Sequence, residues 1–191
     1  MVKFSRENPV FSFQLVVALV CLLAFSSCDK INETIKIPLE SITIELDNIL
    51  VEDSSSQKSA FNYFNVMQTI DSSFIKGLSE EAVKYQSHIE SIEADSACII
   101  ITTTDLSGTV VEEFLLKADG LSDFGISEYL LGMSYMNGVE AYITQFMLKL
   151  LKDNSIDINI SGKTDVQSGE KLQVKITLTN LTLIAKVLKI N

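Results

Sequence analysis

Tryptophan is absent from this 191-residue chain, histidine occurs once, proline twice and cysteine three times. Without tryptophan, the flat ring that commonly serves as a sugar platform is missing, which disfavours polysaccharide binding. His88 is the sole histidine, so any Ser-His-Asp or Cys-His nucleophile would need it, yet Ser87 and Ile89 beside it form no catalytic motif. Zinc sites built from Cys and His lack ligands for the same reason. No glycine-rich phosphate loop occurs. Basic residues are also scarce, 15 against 25 acidic ones. With no basic run to concentrate positive potential, nucleic acid is excluded as a partner.

What is present is clearest at the amino end. Lys3 and Arg6 precede an unbroken apolar run from Leu15 to Phe25, and Phe25-Ser26-Ser27-Cys28 follows at once. A positive start, an apolar stretch of about 7 to 15 residues and small residues before a cut form a secretory signal. The run is shorter than the roughly 20 apolar residues of a membrane-spanning helix. In these residues the chain resembles bacterial lipoproteins, and with Phe25 where the family usually has Leu it looks like those of the Bacteroidota. The resemblance covers the amino-terminal tenth of the chain. It implies a signal peptide over 1–27, lipid attachment at Cys28 and a short anchored linker over 28–33. Cys21 is a poorer candidate because bulky Val20 precedes it. The competing reading is ordinary secretion with cleavage after Ser26. Asp29, Lys30 and Glu33 faintly resemble the charged signal that sends some such lipoproteins to the cell surface. The implied location is the cell envelope, as an outer-membrane lipoprotein facing periplasm or exterior, with the membrane as partner through acylated Cys28.

Removing Lys3, Arg6 and Glu7 leaves 13 basic and 24 acidic residues, a formal charge of −11. Such a surface repels anionic lipid heads, so the acyl chains rather than the polypeptide would hold the protein to a membrane. Cys98 is then the remaining thiol, and one thiol forms no internal disulfide. The domain must be stabilised by its core. Residues 34–191 are enough for one domain, since a chain of this size buries about two thirds of its unfolded surface, and no low-complexity linker divides it.

Periodicity predicts an α+β fold, a mostly antiparallel β-sheet or β-sandwich decorated by two helical regions. Ile35, Ile37 and Leu39 alternate with polar residues, and Ile42, Ile44 and Leu46 resume on the other parity, which predicts strand with a bulge or break between. Asp53 to Ser59 reads as a polar loop and Phe61 to Ile70 as strand. Ser79 followed by Glu80 and Glu81 starts a short helix ending near Ser87. Residues 89–104 and 109–118 read as strands joined by the Asp105-Leu106-Ser107-Gly108 turn, a hairpin. Past a loop from Asp119 to Gly125 a longer helical region is expected, in which Val139, Tyr142, Ile143, Phe146 and Leu150 form one apolar face. A second hairpin is predicted from Ile156–Ser161 and Leu172–Leu178 through Gln167-Ser168-Gly169, with a parity slip past Asn180.

The candidate sites are few. His88 reads as a helix-end residue, and Cys98, within Ala97-Cys98-Ile99-Ile100, as a buried small hydrophobe. Successive side chains on a strand face opposite sides, so Glu112 and Glu113 do not converge as acid and base. Asp119 and Asp123 invite a loose calcium site, against which a solvated acidic loop is the simpler reading. Asp95-Ser96-Ala97 resembles the three-residue O-glycosylation motif of Bacteroidota, with Ser96 as acceptor. Met133, Met136, Phe146 and Met147 would line a pocket for an apolar ligand between helix and sheet, or pack the core.

The expectation is therefore a protein without catalytic residues, metal or cofactor: an envelope or surface lipoprotein presenting a β-rich domain to other envelope proteins. A ligand-binding lipoprotein, for an apolar molecule or a glycan, is the alternative. Cys28→Ala should abolish acylation and cleavage at that site, read by mass spectrometry and by release from the membrane fraction; a variant processed and sedimented like the parent would contradict the anchor.

Overall fold

The structure, a computed structural model, describes residues 31–54, 60–103 and 109–189. The anchor candidate Cys28 and the Asp105–Gly108 turn lie outside the described residues. The chain divides into two units; the fold below is that of the larger, Thr34–Lys186. Strands dominate it, joined in a nine-stranded sheet whose pairings among the described residues are antiparallel, with few helices.

The strands are β1 (Ile31–Glu52), β2 (Asn62–Asp71), β3 (Ile75–Lys76), β4 (Ile89–Thr103), β5 (Val110–Ala118), β6 (Phe124–Leu130), β7 (Ser134–Tyr135), β8 (Ser155–Thr164) and β9 (Lys171–Lys189). The helices are α1 (Glu80–Lys84) and α2 (Val139–Asp153). Strand order is β6-β5-β8-β2-β1-β9-β4-β7, with β3 on β1. Side-chain contacts show β1 antiparallel to β9 as well: Thr43 meets Thr177, Glu45 pairs with Lys175 and Asp47 accepts from Gln173, in opposite sequence order.

The parity slip predicted in β1 is a bend shared by three strands. Inward residues pass from Leu39 to Ile42 in β1, from Leu178 to Leu181 in β9 and from Ala94 to Ala97 in β4. Ala94 faces Leu181 and Ser96 faces Thr179, so the slips lie side by side. Asn180 supplies a left-handed φ of 48° there, a conformation asparagine tolerates better than most residues. These three strands thus turn together while each keeps its apolar set on the core. A second slip in β1, from Leu46 to Ile49 across Asn48 at φ 63°, redirects the strand toward β2, where Val51 faces Phe64.

Neither predicted hairpin forms. β4 pairs with β9 along its length and with β7 at Ile99 and Ile100, and β8 pairs with β2 and β5, so neither strand joins its expected hairpin partner. Alternation identifies a strand but says nothing of what lies beside it. β5 instead forms a local hairpin with β6, and β6 occupies part of the stretch expected to be helical. α2 starts only at Val139, after Gly138 at φ 68°.

From there the helical prediction holds: Val139, Tyr142, Ile143, Phe146 and Leu150 are buried, joined by Met147 and Leu151. α2 packs on β4 and reaches β8, while the Tyr142 ring stacks on Phe124 of β6 and its hydroxyl donates to Leu116 O of β5 at 3.3 Å. α1 begins as predicted, with Ser79 Oγ accepting from Ala82 N at 3.1 Å. Gly162 on β8 allows β5 and β2 to close in, since a Cβ there would strike the Glu113 carbonyl and the Phe64 ring.

Phe146→Ala should cost about 3 to 5 kcal/mol, a large share of the roughly 5 to 15 kcal/mol available to a domain; an unchanged denaturation midpoint would contradict the packing. Tyr142 gives a pH test. Burial, aided by the charge of Asp123, raises its phenol to about 12 from an ordinary value near 10. Because the folded state holds this proton more tightly, its stabilisation is complete below about pH 10 and is lost as pH rises toward about 12. Stability measured across that window should fall less steeply in Tyr142→Phe than in the parent.

Candidate functional site

The end of β4 meets the other edge of the sheet and there forms two concavities. Ile101 is the hinge of this junction. Its N–H donates to the Tyr129 hydroxyl of β6 at 3.1 Å, and its carbonyl accepts from Gly132 N at 2.8 Å. The Tyr129 hydroxyl donates in turn to Met133 O. Burial pushes the Tyr129 phenol up, keeping it a neutral donor. Backbone groups of β4 beyond its short pairing with β7 are thereby satisfied by a side chain and a turn instead of a strand. Asp165, past the end of β8, secures the neighbouring start of β5. Its carboxylate accepts from Thr109 N at 2.9 Å, Val110 N at 2.8 Å and Thr109 Oγ1 at 3.1 Å.

Two grooves flank Thr102 and Thr103 at this end. One, of about 390 Å³, is polar and lined by Asp47, Asn48, Thr102, Lys171 and Gln173. Lys171 Nζ donates to Asn48 Oδ1 at 2.9 Å, Thr102 Oγ1 to Gln173 Oε1 at 3.4 Å, and Gln173 Nε2 to Asp47. The other, of about 470 Å³, is more apolar, with Thr109, Leu130, Leu131 and Met133 in its wall. Of these, Met133 alone is a candidate by sequence; the polar groove is assembled from β1, β4 and β9, and no local pattern joins residues 47, 102 and 173.

The residues singled out from sequence are dispersed. Ser96 lies on β4 at the shared bend, partly buried, with its hydroxyl 2.6 Å from that of Thr179. His88 ends a 3₁₀ turn, exposed, its Nδ1 3.1 Å from Ser87 Oγ. Cys98 is half-buried, a correction to its reading as a buried hydrophobe, because it falls on the polar outer side of β4 opposite Thr177; burial nonetheless raises its thiol. Glu113 pairs with Lys163 at 3.0 Å. Asp123 pairs with Lys117 at 2.9 Å while Asp119 is exposed. Glu80 and Glu81 sit in the first turn of α1. Among the described residues no group of three or more His, Cys, Asp or Glu is placed to hold a metal. Nor do the four apolar-ligand candidates share a space: Phe146 and Met147 are fully buried, whereas Met133 and Met136 are exposed. Among the described residues no helix is long and apolar enough to cross a membrane.

No family model and no curated protein matches the chain. Among solved structures, it is similar to the decameric BFDV capsid protein at 8% identity and a TM-score of 0.40, over 79% of this chain and 99% of that one. It is also similar to a semi-empty virus-like particle of the Macrobrachium rosenbergii nodavirus, at 8% identity and a TM-score of 0.35, over 85% of this chain and 98% of that one. Desmodium yellow mottle tymovirus follows at 8% identity and a TM-score of 0.29, over 80% of this chain and 91% of that one. Likenesses this faint carry no inference about what the chain does.

Tyr129→Phe tests the junction. It leaves the Ile101 N–H without its acceptor, which should cost about 1 to 3 kcal/mol and speed amide exchange at Ile101 more than at Ile92. Exchange rates equal to those of the parent would show that the hydroxyl does not hold the edge.

Proposed function

We propose that this is a non-catalytic, lipid-anchored protein of the cell envelope, outer membrane or cell surface, displaying its β-rich domain for contacts with other proteins. The observation that carries the reading is the apolar run ending directly in Phe25-Ser26-Ser27-Cys28. Five residues lie between Cys28 and Thr34, where the compact unit begins. β1 then runs to Glu52, and the grooves beside Thr102 lie toward that far end of the strand, with Asp47 and Asn48 in one wall. Exposed Leu130 and Met133 at the same end suit a protein partner better than a charged one. In finer detail we read the sheet as a helix-decorated sandwich, with β3-β1-β9-β4-β7 on one side and β2-β8-β5-β6 on the other.

The second reading, a ligand-binding lipoprotein, is favoured by the polar groove, where donors and acceptors from three strands converge. Cross-linking of the acylated protein in its native envelope, followed by mass analysis, tests the first reading. The expected result is a protein adduct through residues of the groove end, with no turnover of glycosidase, peptidase or esterase substrates by the purified protein. Turnover abolished by one Asp or Glu substitution that leaves folding intact would overturn the non-catalytic reading.

A further inference from the structure

β2 is a long strand with a stretch of open edge. Along one side it pairs with β8 over its whole length, from Asn62 with Thr164 to Asp71 with Ser155. Along the other, β1 pairs with it only at Val51–Phe64 and Glu52–Tyr63, and then diverges at the Asn48 bulge to take up β3 at Thr43 and Ile44. From Asn65 onward, that side of β2 faces no strand among the described residues. The opening reaches the inner side, since Val66 and Gln68 are half-exposed although Phe64 and Ile70, on the same parity, are buried. Unpaired strand edges recruit other strands unless something prevents it, and natural proteins commonly prevent it with charge, bulges or short length. Other margins among the described residues use those devices: β3 and β7 have two residues each, and β6 carries Glu128 at a left-handed φ of 53°.

Along its open stretch β2 uses none of them. Asn62 to Ile70 contains no charged side chain in a chain of net charge −10, and the one carboxylate of the strand, Asp71, stands at its last position. Neutrality matters most where a strand meets its own copy. In a two-fold, antiparallel pairing every residue of the strand confronts the same short sequence, and one acid near the axis would face its twin. The outer face offers contact area as well: Met67 is 77% exposed, Tyr63 41%, and Leu50 on neighbouring β1 47%. We propose that β2 is the self-association edge of this protein, pairing antiparallel with β2 of a second copy and continuing the β5-β8-β2 ladder into the partner. The inference does not rest on the lipid anchor.

The test uses the full chain with a photo-crosslinking benzoyl-phenylalanine at position 67, expressed in cells, with the same probe at exposed Val83 of α1 as the comparison. An adduct of twice the chain mass is expected from position 67 and not from 83. Asn65→Lys should abolish that adduct, whereas Asn65→Gln should retain it; Asn65 is exposed, and matching circular dichroism would confirm that both variants fold. Light scattering of the purified full chain should likewise report a dimer for the parent and a monomer for Asn65→Lys. A monomeric parent, an adduct of another mass, equal adducts from both positions, or a dimer indifferent to Asn65→Lys would each overturn the proposal.

Discussion

The placement of β9 between β1 and β4 is the constraint on which the rest of the structure depends. It joins the amino-terminal strand to the middle of the chain through pairs as distant as Thr43 with Thr177, 134 residues apart. Leu172, Val174, Ile176, Leu178, Leu181 and Leu183 on its inner side are all buried. Until β9 is in place, β1 and β4 have no common neighbour and the bend at Glu40, Ser96 and Asn180 has no middle strand. Such non-local pairing must offset loop-closure entropy before it is rewarded, which points to slow folding in a sheet of this connectivity.

Two devices then complete the sheet where strands run out. α2 lays its apolar face on β4 and reaches β5 and β6 through Tyr142, covering apolar side chains that a strand would otherwise shield. The Tyr129 hydroxyl and the Gly132 amide satisfy Ile101 at the other end. One device works mainly by area and the other by hydrogen bonding. Their difference matters because losing buried area leaves a cavity, whereas losing a hydroxyl leaves an orphaned donor. The β2 edge is the place where neither device operates.

The candidate grooves were hardly legible before the fold was known. Asp47, Thr102 and Gln173 sit on three strands far apart in sequence, each in an ordinary alternating pattern, and only strand order makes them neighbours. The same holds for Tyr129, which in sequence is one apolar residue among several. Conversely, the helical face from Val139 to Leu150 was legible because its spacing is a local property of one segment. The predicted hairpins failed for the complementary reason: a turn-like cluster between two alternating runs is compatible with a hairpin but does not compel one when other partners bury more surface.

By itself the sequence determined what is local: the alternation that makes strands, the parity slips at Leu39–Ile42 and Asn180, the Ser79 cap, the apolar face of α2, and a strongly acidic chain with one histidine. These follow from neighbours within one or two turns, where side-chain periodicity and backbone preference act directly. The tertiary structure alone decided which strands pair, that three parity slips coincide as one bend, that β6 is strand where helix was expected, and that β2 keeps an open edge. Those outcomes depend on the competition among all segments for the same buried surface, a global balance that no local pattern encodes.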